Sequence, residues 1–254
     1  MTNGPTSTAV VTGGGSPRGL GREIGFELAR RGYAVAILDL DGAAAEEAAR
    51  TIAIETGAMT IGLRVDVTSQ ESVDAAFTEV EAQLPQIDVL VNNAGISAST
   101  RFMDISLEEW NRLFEVNVVG TVIPTQRALP GMRRRHYGRI INMSSVSAQR
   151  GGGIFGASHY SASKAAVLGL TKALAREVGL DAITVNAVTP GMADTDITGG
   201  AMSDARKAEL ATGTLVGRLA APSDVANAVA FLAEPASEYV TGATLDVNGG
   251  THLH

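Results

Sequence analysis

Cysteine is absent from the 254 residues, which excludes disulfides, thiolate metal sites and a cysteine nucleophile together. Basic charge is not in excess either: 20 Lys and Arg against 27 Asp and Glu leave a formal net charge of −7. That balance argues against nucleic acid or an anionic membrane as the main partner. No apolar run approaches the roughly 18–20 residues of a membrane span. The opening residues, MTNGPTSTAVVTGGG, lack a basic stretch followed by an apolar one and do not read as a secretory leader. The four histidines show no ligand spacing with paired carboxylates, so no metal site is expected. These absences predict a cytoplasmic protein without a membrane or nucleic-acid partner.

What the chain does have is apolar content and glycine. Hydrophobic residues make up 45% and charged ones 19%, enough to build a large core. Glycine occurs 29 times against 4% aromatics, a balance that favours tight turns and close helix–strand packing. The length suits one α/β domain. Thr8–Thr12, Ala34–Asp39, Thr60–Asp66, Ile87–Asn93, Gly138–Ser145, Ile183–Val188 and Ala243–Val247 read as strands. They are nearly continuous in Val, Ile and Ala, as strands covered on both faces should be. Between them, Gly21–Arg31, Asp41–Thr56, Ser69–Leu84, Ser106–Arg134, Ser158–Gly179 and Ser223–Glu234 read as helices. The fourth of these is expected to bend near Pro124 and Pro130. Such alternation predicts a parallel sheet covered by helices.

The stretch TGGGSPRGLG, Thr12–Gly21, falls where the first strand ends and the first helix starts. Free N–H groups and the positive end of a helix there favour a pyrophosphate, and glycines let the backbone approach it. The second strand ends on Asp39, twenty residues beyond Gly19. A carboxylate at that place accepts hydrogen bonds from ribose hydroxyls and repels a 2′-phosphate, which predicts NAD over NADP. Arg18 pulls the other way, since it can pair with a 2′-phosphate, but the fixed carboxylate is given more weight. Asp41 is close enough to compete for the role and is assigned to the solvated start of the second helix.

Asn92-Asn93-Ala94-Gly95 follows the fourth strand, and Tyr160-Ser161-Ala162-Ser163-Lys164 opens a later helix. In this order, and with the glycine loop ahead of them, they resemble the short-chain dehydrogenase/reductase family from Thr8 to Gly250. The resemblance implies a single-domain Rossmann fold over residues 1–254, with a seven-stranded, mostly parallel sheet and helices on both faces. It implies that Gly13, Arg18, Gly19, Leu20 and Gly21 form the cofactor loop. It further implies that Asp66 and Val67 meet the adenine, and that Asn93, Ala94 and Gly95 steady the central sheet along the cofactor. Pro190, Gly191 and Thr195 match the segment that holds the nicotinamide carboxamide. Asn117, Ser145, Tyr160 and Lys164 match the catalytic tetrad, the last two also lying against the cofactor. Ser144 is the neighbouring candidate for the serine role. A homotetramer packed through the helices of Asn117 and Tyr160 is also implied.

The chemistry suits these residue types. A free tyrosine, with a pKa of ~10, is mostly neutral at physiological pH. Lys164 lies four residues after Tyr160 on one helix face, and its ammonium, with the positive charge of the oxidised nicotinamide, is expected to lower that pKa so the tyrosine serves as general acid and base. Ser145 is expected to stabilise charge on the substrate oxygen, and Asn117 to hold a water beside Lys164. His159 is read as a solvent-facing residue at the helix start.

Three features depart from the family pattern. The glycine loop carries two extra residues, approximately Ser16-Pro17, expected to alter the adenosine rim and leave the pyrophosphate contact intact. The loop between Ser145 and Tyr160 is about two residues longer than usual, and its glycines and Phe155 are expected to shape specificity. Asp181 stands where carrier-protein reductases commonly place an arginine. A substrate lid is expected over residues 192–215, with Gly199-Gly200 and Gly213 as hinges. Together these features predict an NAD-dependent enzyme acting on a small alcohol or ketone of the polyol, sugar or hydroxy-ketone class. The alternatives are an NADPH-dependent 3-oxoacyl carrier-protein reductase and a dinucleotide-sensing protein without turnover.

Overall fold

The runs of Val, Ile and Ala form strands whose successive side chains enter two different cores. In β1 (Thr8–Thr12) Ala9 and Val11 face one helix layer and Val10 the other. The computed structural model describes residues 7–152, 156–193, 195 and 203–253. Beside β1 stand β2 (Ala34–Asp39), β3 (Thr60–Arg64), β4 (Ile87–Asn92), β5 (Gly138–Met143), β6 (Ile183–Pro190) and β7 (Thr244–Val247). They form one seven-stranded sheet in the order β3-β2-β1-β4-β5-β6-β7. Every neighbouring pair is parallel, so the expected "mostly parallel" sheet is parallel throughout.

One face is covered by α1 (Leu20–Arg30), α2 (Gly42–Thr56) and α9 (Pro222–Ala233), which contribute Ile24, Leu28, Ile52, Val225 and Val229 to the first core. The other is covered by α3 (Gln70–Gln83), α5 (Gly120–Arg135) and α7 (Ser158–Val178), which contribute Val73, Phe77, Met132 and Val178. Caps set the helix starts: Asp41 accepts from Ala44 N at 3.1 Å and Ser69 from Ser72 N at 3.2 Å. This capping role fits the assignment of Asp41 to the helix start. Among the described residues no helix is long and apolar enough to cross a membrane.

The expected helix over Ser106–Arg134 has three parts: α4 (Leu107–Phe114), a π segment at Glu115–Val119, and α5. The irregularity lies ahead of the prolines. A proline at 124 crowds the Gly120 carbonyl and gives it no donor, and the wider π turn ends immediately before Gly120. Two elements escaped the sequence reading: α6 (Val146–Arg150) directly after β5, and α8 (Asp204–Ala211) within the expected lid. The hinge pair Gly199-Gly200 and Phe155 lie outside the described residues. Gly213 sits just after α8, its N–H on the Leu210 carbonyl at 3.2 Å.

The sheet order reverses between β1 and β4, and a crevice opens at the carboxyl ends of these strands, where open α/β sheets take their ligands. Close approach of α2 to β3 supports this arrangement. A Cβ on Gly62 would stand 2.2 Å from the Ala45 carbonyl oxygen, which is helix backbone and cannot rotate away. Gly62→Ala is therefore expected to cost about 1–3 kcal/mol. Gly179→Ala, at an ordinary helical φ of −59° with nothing within 4 Å, should be near neutral. Urea unfolding of the two variants checks both.

Candidate active site

The crevice begins at the junction of β1 and α1. Asn93 holds it together: its Nδ2 donates to the carbonyls of Thr12 at 3.0 Å and Gly13 at 2.8 Å. The Thr12 hydroxyl accepts from the N–H groups of Asn93 and Ala94, both at 3.1 Å. Gly21 has no room for a side chain here, since a Cβ would meet Asn93 Nδ2 and the Gly13 carbonyl oxygen at 2.5 Å. Gly13 adopts φ +68°, a left-handed conformation that glycine takes without strain. The extra length of the loop folds into a turn closed by Gly19 N–H on Ser16 O at 3.0 Å. Ser, Pro and Gly at positions 16, 17 and 19 match the residues a type I turn prefers at its first, second and fourth places. The insertion thus leaves Gly19 as the N-cap of α1.

A cavity of about 420 Å³ lies against this loop, lined by Gly13, Gly19, Leu20, Asp39, Asp66, Val67 and the Asn93–Gly95 segment. Asp39 faces it with its carboxylate fixed: Oδ2 accepts from Gly15 N at 2.8 Å and Oδ1 from Asp41 N at 3.1 Å. Asp66 Oδ1 accepts from the Thr68 hydroxyl at 2.7 Å and the Thr68 N–H at 2.9 Å, which holds its pKa below the usual carboxylate range. Arg18 and Gly21 line neither this cavity nor the next. A glycine loop at a helix N-terminus, a fixed acid at the end of β2 and a second acid after β3 fit the adenosine and pyrophosphate of a nicotinamide dinucleotide.

A second cavity of about 340 Å³ shares Leu20, Asn93, Gly95, Ile96 and Thr195 with the first. Ser145, Tyr160, Lys164, Pro190 and Gly191 line it. Helix α7 carries Tyr160 and Lys164 on successive turns of one face. Ser145 stands at the N-cap of α6, its Oγ accepting from Ser147 N at 3.1 Å, and it is hydrogen-bonded to the Tyr160 hydroxyl. Ser144 is occupied elsewhere, because its hydroxyl donates to the Lys164 carbonyl at 2.8 Å. That contact favours Ser145 for the serine position.

Burial, the largest influence on both groups, opposes each charged form. Lys164, 5% exposed, has its pKa pushed down to about 8. The Tyr160 phenol is pushed up, with the Ser145 hydrogen bond acting in the other direction. The expected lowering of Tyr160 is therefore not the state of the free chain. The Lys164 ammonium donates to the Met143 carbonyl at 2.9 Å.

Asn117 lies behind the cavity, in the π segment, where irregular helix commonly marks functional sites. Its side chain is engaged with protein: Oδ1 accepts from Ile96 N at 2.9 Å, and Nδ2 donates to Ile96 O and Ser163 Oγ, both at 3.0 Å. The Asn117 side chain thus clamps the strand-end loop against α7. Gly95 lies between, since a Cβ there would sit 3.0 Å from Asn117 Oδ1 and 3.2 Å from Lys164 Nζ.

His159 is fully buried, correcting its reading as a solvent-facing residue. Its Nε2 lies 3.1 Å from Glu109 Oε1, which also accepts from the Thr100 hydroxyl at 2.7 Å, and its ring stacks on Trp110. Helix α4 thereby pins the start of α7. The sequence shows no periodic signal for this contact, because Glu109 and His159 are fifty residues apart. Thr12 was also missed as a functional residue, although its position directly before the loop was a usable signal. Replacing the clamp, as in Asn117→Ala, leaves the Ile96 backbone without its partners. It is expected to cost about 1–3 kcal/mol in chemical denaturation.

Comparison with known proteins agrees with this geometry. Residues 13–252 match the family described as enoyl-(acyl carrier protein) reductase. An uncharacterized short-chain type dehydrogenase/reductase of Sinorhizobium fredii is 48% identical, covering 97% of this chain and 98% of its own length. The 3-oxoacyl-[acyl-carrier-protein] reductase of Escherichia coli is 39% identical over 96% of this chain and 97% of its own. That of Staphylococcus aureus is 39% identical over 98% and 99%. A parallel Rossmann-type sheet, a glycine loop at its switch point and this extent of similarity lead to one conclusion: the chain is an oxidoreductase-type member of the short-chain dehydrogenase/reductase family.

Proposed function

We propose that the chain interconverts a secondary alcohol and its ketone with NAD(H), using Ser145, Tyr160 and Lys164. The observation that carries this reading is the convergence of those three residues on a cavity that joins the glycine-loop cavity. The nicotinamide ring, when bound, supplies the acceptor or donor of hydride. The protein handles the proton. Tyr160 takes the proton of the alcohol in oxidation and returns it in reduction, and Ser145 donates to the oxygen on which charge develops. Lys164 supplies positive charge below its pKa of about 8, which favours the phenolate as the tyrosine reacts. The Met143 carbonyl keeps the lysine in place. The segment after Pro190, with Met192, Leu210 and Thr214 on the cavity, serves as the substrate lid.

Asp39 supports NAD over NADP. Its carboxylate, held by two backbone N–H groups, lies on the adenosine side of the crevice. Bringing a 2′-phosphate there sets like charges together at a cost of several kcal/mol.

The substrate class is best supported by the relatives. Similarity to 3-oxoacyl-[acyl-carrier-protein] reductases over nearly the whole chain favours a 3-oxoacyl type of ketone over a polyol or sugar. The names of those relatives also support a second reading, reduction of the 3-oxo group of an acyl chain held on a carrier protein. Asp181 counts against a carrier partner, since it adds an acid to that surface and is tied to Arg133 at 2.8 Å. A homotetramer belongs to the same proposal. Exposure of the apolar Phe102, Met103 and Leu107 in the single chain supports its burying further surface.

Assays of alcohols and ketones with NAD(H) and NADP(H) side by side test the reading. Tyr160→Phe is expected to lower kcat by about a hundredfold or more while NADH binding, followed by fluorescence, is retained. Persistent turnover in that variant would overturn the mechanism. Asp39→Ser is expected to raise kcat/KM with NADP and lower it with NAD. An unchanged ratio would remove Asp39 from cofactor choice.

A further inference from the structure

We infer that Arg150 anchors a negatively charged end of the substrate, so that the alcohol or ketone this site takes carries a carboxylate or phosphate. The inference rests on the oxidoreductase reading of the same cavity. It starts from the charges on the cavity wall. Among the described residues that line it, three are charged: Lys164, Glu209 and Arg150. Lys164 sits under the tyrosine, with its ammonium on the Met143 carbonyl. Glu209 is paired with Arg206 at 2.6 Å. Among the described residues Arg150 has no such partner. Its Nε donates to the Gly152 carbonyl at 3.1 Å, and among the described residues no carboxylate faces its guanidinium.

Both Nη groups of Arg150 therefore remain as donors, in the planar fork that suits a carboxylate or phosphate. The tether to Gly152, which also lines the cavity, limits where the fork can point. A role in offsetting the helix dipole explains little, because α6 has only five residues and the bond reaches a carbonyl beyond the helix.

The position sets a length scale. Ser145 caps the start of α6 and Arg150 is its last residue. Five residues rise about 7.5 Å along a helix, so the backbones of the two residues stand about that far apart along its axis. Arg150 is exposed at the cavity rim, where water weakens an ion pair; a substrate filling the cavity displaces that water and strengthens the contact. A carboxylate or phosphate that fills the cavity meets the Ser145 and Tyr160 hydroxyls at one part and the guanidinium at another. The same rim gives no such grip to a neutral polyol.

Calorimetric titration of the protein, with and without NADH, tests this independently of turnover. The probes are butanoate, propyl phosphate and the neutral butanamide, against wild type, Arg150→Ala, Arg150→Lys and the surface control Arg133→Ala. At least one anion is expected to bind about tenfold or more tightly than the amide. Which anion leads identifies the end group. That preference should vanish in Arg150→Ala, persist in part in Arg150→Lys, and remain whole in Arg133→Ala. Equal binding of anions and amide by the wild type overturns the inference. So does a preference that survives in Arg150→Ala. Failure of every alcohol and ketone to turn over would instead strike the oxidoreductase reading, and would leave the anion preference to be judged on its own binding data.

Discussion

Two hydrogen bonds from a single side-chain amide, Asn93 to the carbonyls of Thr12 and Gly13, hold the molecule at the point where its sheet reverses order. The end of β1 would otherwise lack these partners for its carbonyls at the base of the crevice. Their closure brings the glycine loop to one side and the Asn93–Gly95 backbone to the other. It also explains why Gly21 admits no side chain: the amide already fills the space. Both cavities meet at this junction, and Asn93 lines each of them. Below it a chain of buried polar groups continues the tie. Asn92 donates to Thr125 and Asn142, and Asn142 donates to Thr171, joining α5, β4, β5 and α7.

Tyr160 and Lys164, the groups proposed to handle the proton, depend on that rigidity because burial works against their charged forms. An ammonium and a phenolate are each disfavoured away from water, as the downward shift of Lys164 and the upward shift of Tyr160 record. The pair becomes useful only when a further charge or polar ligand enters beside it. A backbone carbonyl beneath Lys164, the Asn117 clamp behind it and the His159–Glu109 contact at the helix start fix the side chains before that happens. Preorganisation of this kind avoids reorganisation during the reaction.

Much of the fold could be read along the chain. β1 and β2 lie where alternation of apolar runs put them, and Asp41, Ser69 and Ser106 cap helices as their residue type suggests. The failures share a cause. Strand β5 stops at Met143, and α6 starts after it, because Ser144 and Ser145 find tertiary and capping partners that a propensity count cannot see. The π segment reflects a conflict between Pro124 and the preceding turn, combined with packing against α7. His159 looked like a surface residue because its partner, Glu109, is distant in sequence.

The sequence by itself determined the order of strands and helices, the glycine-dependent turn, the acid at the end of β2 and the residue types available for proton transfer. These follow from local rules: apolar period, capping side chains, and backbone conformations that only glycine takes without strain. Tertiary structure alone decided that the Ser144 hydroxyl is tied to the Lys164 carbonyl, that Asn117 clamps Ile96, that Lys164 and Tyr160 are shifted by burial, and that Arg150 reaches the cavity without a carboxylate partner among the described residues. Hydrogen bonds and desolvation depend on groups brought together across the chain, and no local pattern encodes that meeting.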